Sequence, residues 1–226
     1  MIRFLATAII FFSLVAPTPS IAAIGIGPVP VCYDFGCKTK DMVQITPEEW
    51  REVSGWFTPV AQTSEEERQQ IKQAIGWMEV VVGKHTPTYR DTGLDLQYHG
   101  EFPGQLDCID ESLNTTTYLR LFESQGLFKY HKVHDRAYRR AILDQHWAGQ
   151  IEDLSTGKRY AVDSWFQRNG ILPYMQELTA WEDIPYFFSS YVDNSDEYEN
   201  DGDAQARQSM WQSIKKRFKG VSGSSN

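Results

Sequence analysis

The chain has 226 residues, with 22 Lys+Arg against 30 Asp+Glu and a formal net charge of −8 at pH 7. That acidic balance argues against a nucleic-acid binder, which needs a basic face to replace the counterions it releases. With 41% hydrophobic residues, the length suits one domain with a full core.

Residues 1–23, MIRFLATAIIFFSLVAPTPSIAA, carry one positive charge at Arg3 and an apolar run from Phe4 to Val15. Pro17 and Pro19 follow, then small residues at Ser20, Ala22 and Ala23. This reads as a secretory signal peptide cleaved after Ala22 or Ala23, with an uncleaved anchor as the alternative. The run is shorter than the roughly 20 residues a membrane span needs, and no later segment is apolar enough to span. The expected product is periplasmic or secreted, from a bacterium, and monomeric.

Residues 24–45 are rich in Gly and Pro and read as an extended lead-in. Cys32 and Cys37, in VCYDFGCKTK, are expected to close a small disulfide loop in an oxidising compartment. A zinc site drawing on His131 and His134 competes, but no second Cys pair stands at metal spacing. Pairing the first two leaves Cys108 as an odd thiol, and an exported free thiol is usually kept for its reactivity.

Residues 46–192 are assigned to the main domain. ITPEEWREVSGWF starts a helix with Thr46 as N-cap, Pro47 at the first helical position and Glu49 completing a capping box. A second helix is predicted from Thr63 or Ser64 to about Gly83, with Ile71, Ala74, Ile75, Met78, Val81 and Val82 at helical spacing and glycine ending it. HTPTYRDTGLDLQYHGEFPGQ reads as a long loop. The third helix begins at Cys108 with Asp107 as N-cap, Asp110 and Glu111 at the positive end of the dipole, and Gly126 closing it. Ile109, Leu113, Leu121 and Phe122 are predicted to face inward.

The period then changes to two. LFKYHKV, AILDQHWAGQIED and RYAVDSWF read as strands, with LSTGKR the turn between the last two. FQRNGILPYMQELTAWED reads as a turn and an extended segment. Residues 193–226 form an acidic linker, DNSDEYENDGD, and a basic helix and tail, the helix expected to pack on its own domain rather than on an anionic membrane.

A cysteine that attacks a carbonyl needs a base to take its proton, an acid to hold that base and donors for the oxyanion. A helix N-terminus favours the thiolate and offers the Cys108 N–H. His146 opens HWAGQIED, where small Ala148 and Gly149 leave room for a substrate chain. Asp163, in YAVDSW, sits among apolar and aromatic neighbours where a carboxylate needs a fixed partner. With the turn near Ser155 to Lys158, paired positions sum to an odd number, so His146 and Asp163 share one face. Their register is left open.

This order of a Cys helix followed by His and Asp strands resembles the transglutaminase-like (papain-like) cysteine proteinase superfamily, in its secreted bacterial branch. LDCIDESLNTTTYLRLF looks like that family's Asp-Cys-x-Asp helix, HWAGQIED like its His strand and AVDSW like its Val-Asp strand. The resemblance covers residues 104–166. It implies an α+β fold with a papain/transglutaminase-like core, in which N-terminal helices and a central Cys helix pack on an antiparallel sheet. It also implies a Cys108, His146, Asp163 triad.

Some periplasmic members bind calcium through acids flanking the cysteine. Asp107, Asp110 and Glu111 are the corresponding candidates here, although Ile109 stands where an acid is often found. Helix capping is the preferred reading of these acids, and no cofactor is expected. Gln105 is the candidate oxyanion side chain, with an ordinary loop residue as its alternative.

The expected function is a thiol hydrolase that cleaves peptide or isopeptide bonds of an envelope protein or peptide through a Cys108 acyl-enzyme. Acyl transfer to an amine through the same intermediate and a non-catalytic binding module are the alternatives. The aromatic residues Trp147, Trp165 and Trp181 are read as core and cleft wall. No phosphate loop or dinucleotide fingerprint is present.

Overall fold

The computed structural model describes residues 26–93, 103–141 and 144–183, without the side chains of residues 141 and 144. The expected signal peptide, acidic linker and basic helix lie outside the described residues, as does part of the long loop. Among the described residues, no helix is long and apolar enough to cross a membrane.

The lead-in is a hairpin, not merely an extended segment. Strand β1 (Val29–Tyr33) pairs antiparallel with β2 (Thr39–Val43), from Val29 opposite Val43 to Tyr33 opposite Thr39. Cys32 and Cys37 are disulfide-bonded across its turn, so the competing zinc reading has lost its cysteines. The four turn residues Asp34, Phe35, Gly36 and Cys37 all have positive φ, at 66°, 64°, 67° and 57°. Successive left-handed residues turn their N–H groups inward and form an anion-binding concavity.

Helix α1 (Pro47–Ser54) starts with the capping box of Thr46 and Glu49, and α2 (Ser64–Gly83) is capped by Thr63. The helix ends at Gly83 as expected, but the glycine is not a left-handed cap, because the C-cap is Lys84 in right-handed geometry. Gly83 is needed for close approach instead: a Cβ there would lie 3.1 Å from Cβ of Tyr89. Ile71, Ala74, Ile75, Met78, Val81 and Val82 are buried against Trp50, Val53, Trp56 and Phe57.

Helix α3 (Cys108–Ser124) crosses this layer and packs on the main sheet. Its inward face differs from the expected stripe. Ile109, Leu113 and Leu121 are half-buried, whereas Asp110, Glu111, Asn114, Thr115, Tyr118, Leu119 and Phe122 are buried. Two of the polar members, Asp110 and Asn114, have backbone partners in the hairpin. Asn114 Nδ2 donates to the Cys32 carbonyl and Asn114 Oδ1 accepts from the Cys32 N–H, both at 2.8 Å. A buried strand segment that lacks a second neighbour strand is thereby satisfied by one amide side chain.

The main sheet contains β3 (His131–Val133), β4 (Ala137–Ala141), β5 (Asp144–Asp153), β6 (Arg159–Asp163) and β7 (Tyr174–Glu177), all antiparallel. Its order is β3-β5-β6-β7, and β4 also pairs with β5. β3 meets residues 151–153 of β5 and β4 meets residues 144–148, so one edge of β5 is covered by two strands with a break at 134–136. A short helix, α4 (Leu178–Glu182), follows β7 where an extended segment was predicted. The class is α+β.

Gly149 is not left open for a substrate chain. A Cβ at Gly149 would lie 2.8 Å from Cγ2 of Thr115 and 3.1 Å from Cδ1 of Leu119, so its lack of a side chain lets α3 lie against β5. Ala148 is buried on the other sheet face, with Ala137, Ala161 and Trp181.

Candidate active site

The first turn of α3 is closed by acids. Oδ1 of Asp107 accepts from the N–H groups of Ile109 at 3.0 Å and Asp110 at 2.9 Å, and the Asp110 carboxylate reaches back to the Asp107 N–H at 3.4 Å. This is the capping box of a helix N-terminus. The Asp107 carbonyl takes the Glu111 N–H at 3.0 Å. Cys108 stands at the first helical position, whose N–H has no intrahelical acceptor. Among the described residues, it is the donor of that turn with no acceptor of its own.

Asp110 also anchors the disulfide turn. Its Oδ2 accepts from the Phe35 N–H at 2.8 Å and its Oδ1 from the Cys37 N–H at 2.5 Å, which fills the concavity of left-handed residues. Burial first, and then the Asp107 charge, raise the Asp110 pKa to about 7 against the pull of those donors. Burial, reinforced by Glu79, Asp91, Asp110 and Asp163, also pushes Glu111 well above the ordinary carboxylate range. Of the acids expected to cap the helix, Asp107 and Asp110 do so, while the buried Glu111 makes no capping bond. Among the described residues, no group of three or more His, Cys, Asp or Glu could hold a metal ion.

His146 and Asp163 come together across β5 and β6. These strands pair Gly149 with Val162 and Ile151 with Tyr160. Continuing that register sets Asp163 opposite Ala148 and diagonal to His146 on one face, a separation a histidine and a carboxylate can span. Nε2 of His146 and Oδ2 of Asp163 are 2.7 Å apart, and each side chain is 1% exposed. The same Oδ2 accepts from Trp181 Nε1 at 2.8 Å, while Asp163 Oδ1 is buried with no hydrogen-bond partner. Trp165, Phe166 and Trp181 surround the ring, with centroids at 4.9, 5.6 and 5.7 Å.

The half-buried Cys108 thiol lies 3.8 Å from the Gln145 carbonyl, immediately before His146 in the chain. Burial opposes a charge on His146. The Asp163 carboxylate first, and then the nearby Cys108 side chain, overcome it and raise the ring to about 9. Because Nε2 is committed to Asp163, Nδ1 is the nitrogen left for the thiol. The arrangement is a thiol, an imidazole and a carboxylate in series, with an N–H donor at the thiol's own residue.

The remaining expected residues lie elsewhere. Gln105 is buried, with Nε2 donating to the Arg90 carbonyl at 2.7 Å and Oε1 accepting from Thr92 Oγ1 at 3.3 Å. Its amide ties down the loop before α3. His131 pairs with Glu67 at 2.9 Å and His134 with Glu152 at 2.7 Å.

One neighbour of the thiol went unmarked in the sequence. Arg136 sits in the break between β3 and β4, donates to Ser112 Oγ at 3.0 Å, and lies within electrostatic reach of Cys108. Ser112 is four residues after Cys108, one turn along the same helix face. In KVHDRAYRR, nothing distinguishes this arginine from Arg139 or Arg140 until the strand break is known.

Compared with family models, curated proteins and solved structures, the chain matches none.

Proposed function

We propose that this protein is an exported thiol hydrolase of the transglutaminase-like (papain-like) kind, acting on peptide or isopeptide bonds outside the cytoplasm. The observation that carries the reading is the 2.7 Å bond between His146 and Asp163, with the Cys108 thiol 3.8 Å from the carbonyl of Gln145, the residue before His146. A ring raised to about 9 holds, at neutral pH, the proton that the Cys108 sulfur gives up.

In the first half-reaction, His146 Nδ1 takes the Cys108 proton and Sγ attacks the carbonyl carbon. The developing oxyanion accepts from the Cys108 N–H. The tetrahedral intermediate collapses, the C–N bond breaks, and the leaving amine takes the proton from His146. In the second half-reaction, water gives a proton to His146 and attacks the thioester. The acid departs and the proton returns to sulfur. Asp163 holds the ring's orientation and tautomer throughout, and Trp181 Nε1 donates to the same Oδ2 that holds the ring.

The test is incubation of wild type and Cys108→Ala with cell-envelope fractions, reading new termini by mass spectrometry. New termini made by wild type and absent with Cys108→Ala are expected. Identical digests would overturn the hydrolase reading.

A further inference from the structure

A cavity of about 330 Å³ lies along α3. Leu113, Thr116, Thr117, Arg120, Asp135, Arg136 and Trp147 line it. Arg136 joins the cavity to the thiol through Ser112, one helical turn from Cys108.

Three features of this cavity fit an anion. The Arg136 guanidinium lies 4.5 Å over the Trp147 ring and is half-buried, yet among the described residues no carboxylate pairs with it. Its chain neighbour Asp135 is engaged by Arg120 at 2.5 Å instead. A partly desolvated guanidinium ordinarily has a carboxylate partner, and burial does pull the Arg136 pKa down. Thr116 lines the same cavity and is 6% exposed, and its Oγ1 is buried with no hydrogen-bond partner. Finally, two arginines outnumber the one aspartate there, although the chain as a whole has a formal net charge of −8.

Stacking on Trp147 orients the guanidinium fork, which suits bidentate binding of a carboxylate. One helical turn is about 5.4 Å, close to the reach from a carbonyl under attack to a carboxylate on the neighbouring residue. We propose that Arg136 and this cavity form the subsite for a substrate carboxylate, so that Cys108 cleaves bonds next to a carboxylate-bearing residue. The proposal rests on Cys108 being the nucleophile. The carboxylate comes either from an acidic side chain or from a chain terminus, and the probes below separate the two.

The test uses three haloacetyl probes that alkylate Cys108, sulfur displacing chloride as the S–C bond forms. They are N-chloroacetyl-glycinamide (neutral), N-chloroacetyl-glycine (terminal carboxylate) and N-chloroacetyl-glutamic acid α-amide (side-chain carboxylate). Wild type should prefer at least one carboxylate probe over the neutral one by about tenfold, and the preferred probe names the source. Arg136→Gln should bring that ratio close to one, and Arg136→Lys, which keeps the charge, should restore part of it. A ratio near one for both carboxylate probes in wild type would overturn the subsite. So would a ratio unchanged in Arg136→Gln, or lost equally in Arg136→Lys. Failure of the hydrolase reading looks different: the neutral probe would then react with Cys108 no faster than with glutathione, while the ratio stayed readable.

Discussion

Two fully buried histidine–carboxylate pairs occur among the described residues, and their surroundings separate a clamp from a candidate base. His131 donates through Nδ1 to Glu67 Oε1 at 2.9 Å, and its Nε2 faces Arg68 Nη1 at 3.4 Å. Arginine can only donate, so the second nitrogen of His131 is occupied as an acceptor. The Glu67 carboxylate also takes the N–H groups of Lys129 and Tyr130, at 2.7 and 2.9 Å, and Arg68 reaches on to Asp153 at 3.3 Å. These partners join α2, the segment after α3, β3 and the end of β5.

His146 is as buried as His131, but its second nitrogen is left for a thiol, and its carboxylate has one oxygen without a partner. A buried histidine–carboxylate bond is therefore no mark of catalysis by itself. What lies by the second ring nitrogen separates the two pairs: a cation that can only donate in one case, the Cys108 side chain in the other.

The largest effect that sharpens this contrast is on turnover. Asp163→Asn should lower kcat by about 10³–10⁴-fold, because the amide cannot hold the ring in the tautomer that accepts the thiol proton. Single-turnover kinetics on a cleaved envelope peptide would check it, and a loss under tenfold would place His146 beside His131 as a structural residue.

On the clamp side, Glu67→Ala should cost about 3 kcal/mol of stability, since it strips a buried histidine and two backbone N–H groups of their acceptor. Urea denaturation would show it as a lowered midpoint. A variant as stable as wild type would mean the cluster is no clamp.

Gly149→Ala should cost about 2 kcal/mol by overpacking, as the new methyl meets Thr115 and Leu119. The displacement should fall on α3 and the thiol, leaving the Glu67 cluster in place. Hydrogen exchange that rises over α3 but not over residues 129–133 is expected, and equal rises in both would erase the division between the regions.

The smallest effect is the pH dependence of stability. His146 is raised above its unfolded value to about 9, so its contribution is full below about pH 6.5 and fades as pH rises through 9. Midpoints followed from pH 6 to 10 in wild type and His146→Gln should converge toward the alkaline end. A constant difference would mean that the ring does not titrate in this window.

The parts of this molecule legible in its sequence are those set by neighbours in the chain. The caps at Thr46, Thr63 and Asp107 follow from side chains reaching N–H groups two or three residues on. The shared face of His146 and Asp163 follows from the parity of a hairpin. Where a partner comes from far away, pattern reading fails. The inward face of α3 is polar because Asp110 and Asn114 bind the hairpin some 73 to 82 residues upstream, which leaves Leu113 to line a cavity. β4 was hidden by its charged AYRRA sequence, and with it the break that positions Arg136. Gln105 looked available by proximity to Cys108, but its amide answers to Arg90 and Thr92.

The central claim is that His146, and not His131, governs the thiol. Alkylation of Cys108 by iodoacetamide at mildly acidic pH measures this directly in wild type, His146→Ala and His131→Ala. Wild type should react far faster than glutathione, with that excess lost in His146→Ala and kept in His131→Ala. Equal rates in wild type and His146→Ala would contradict the account.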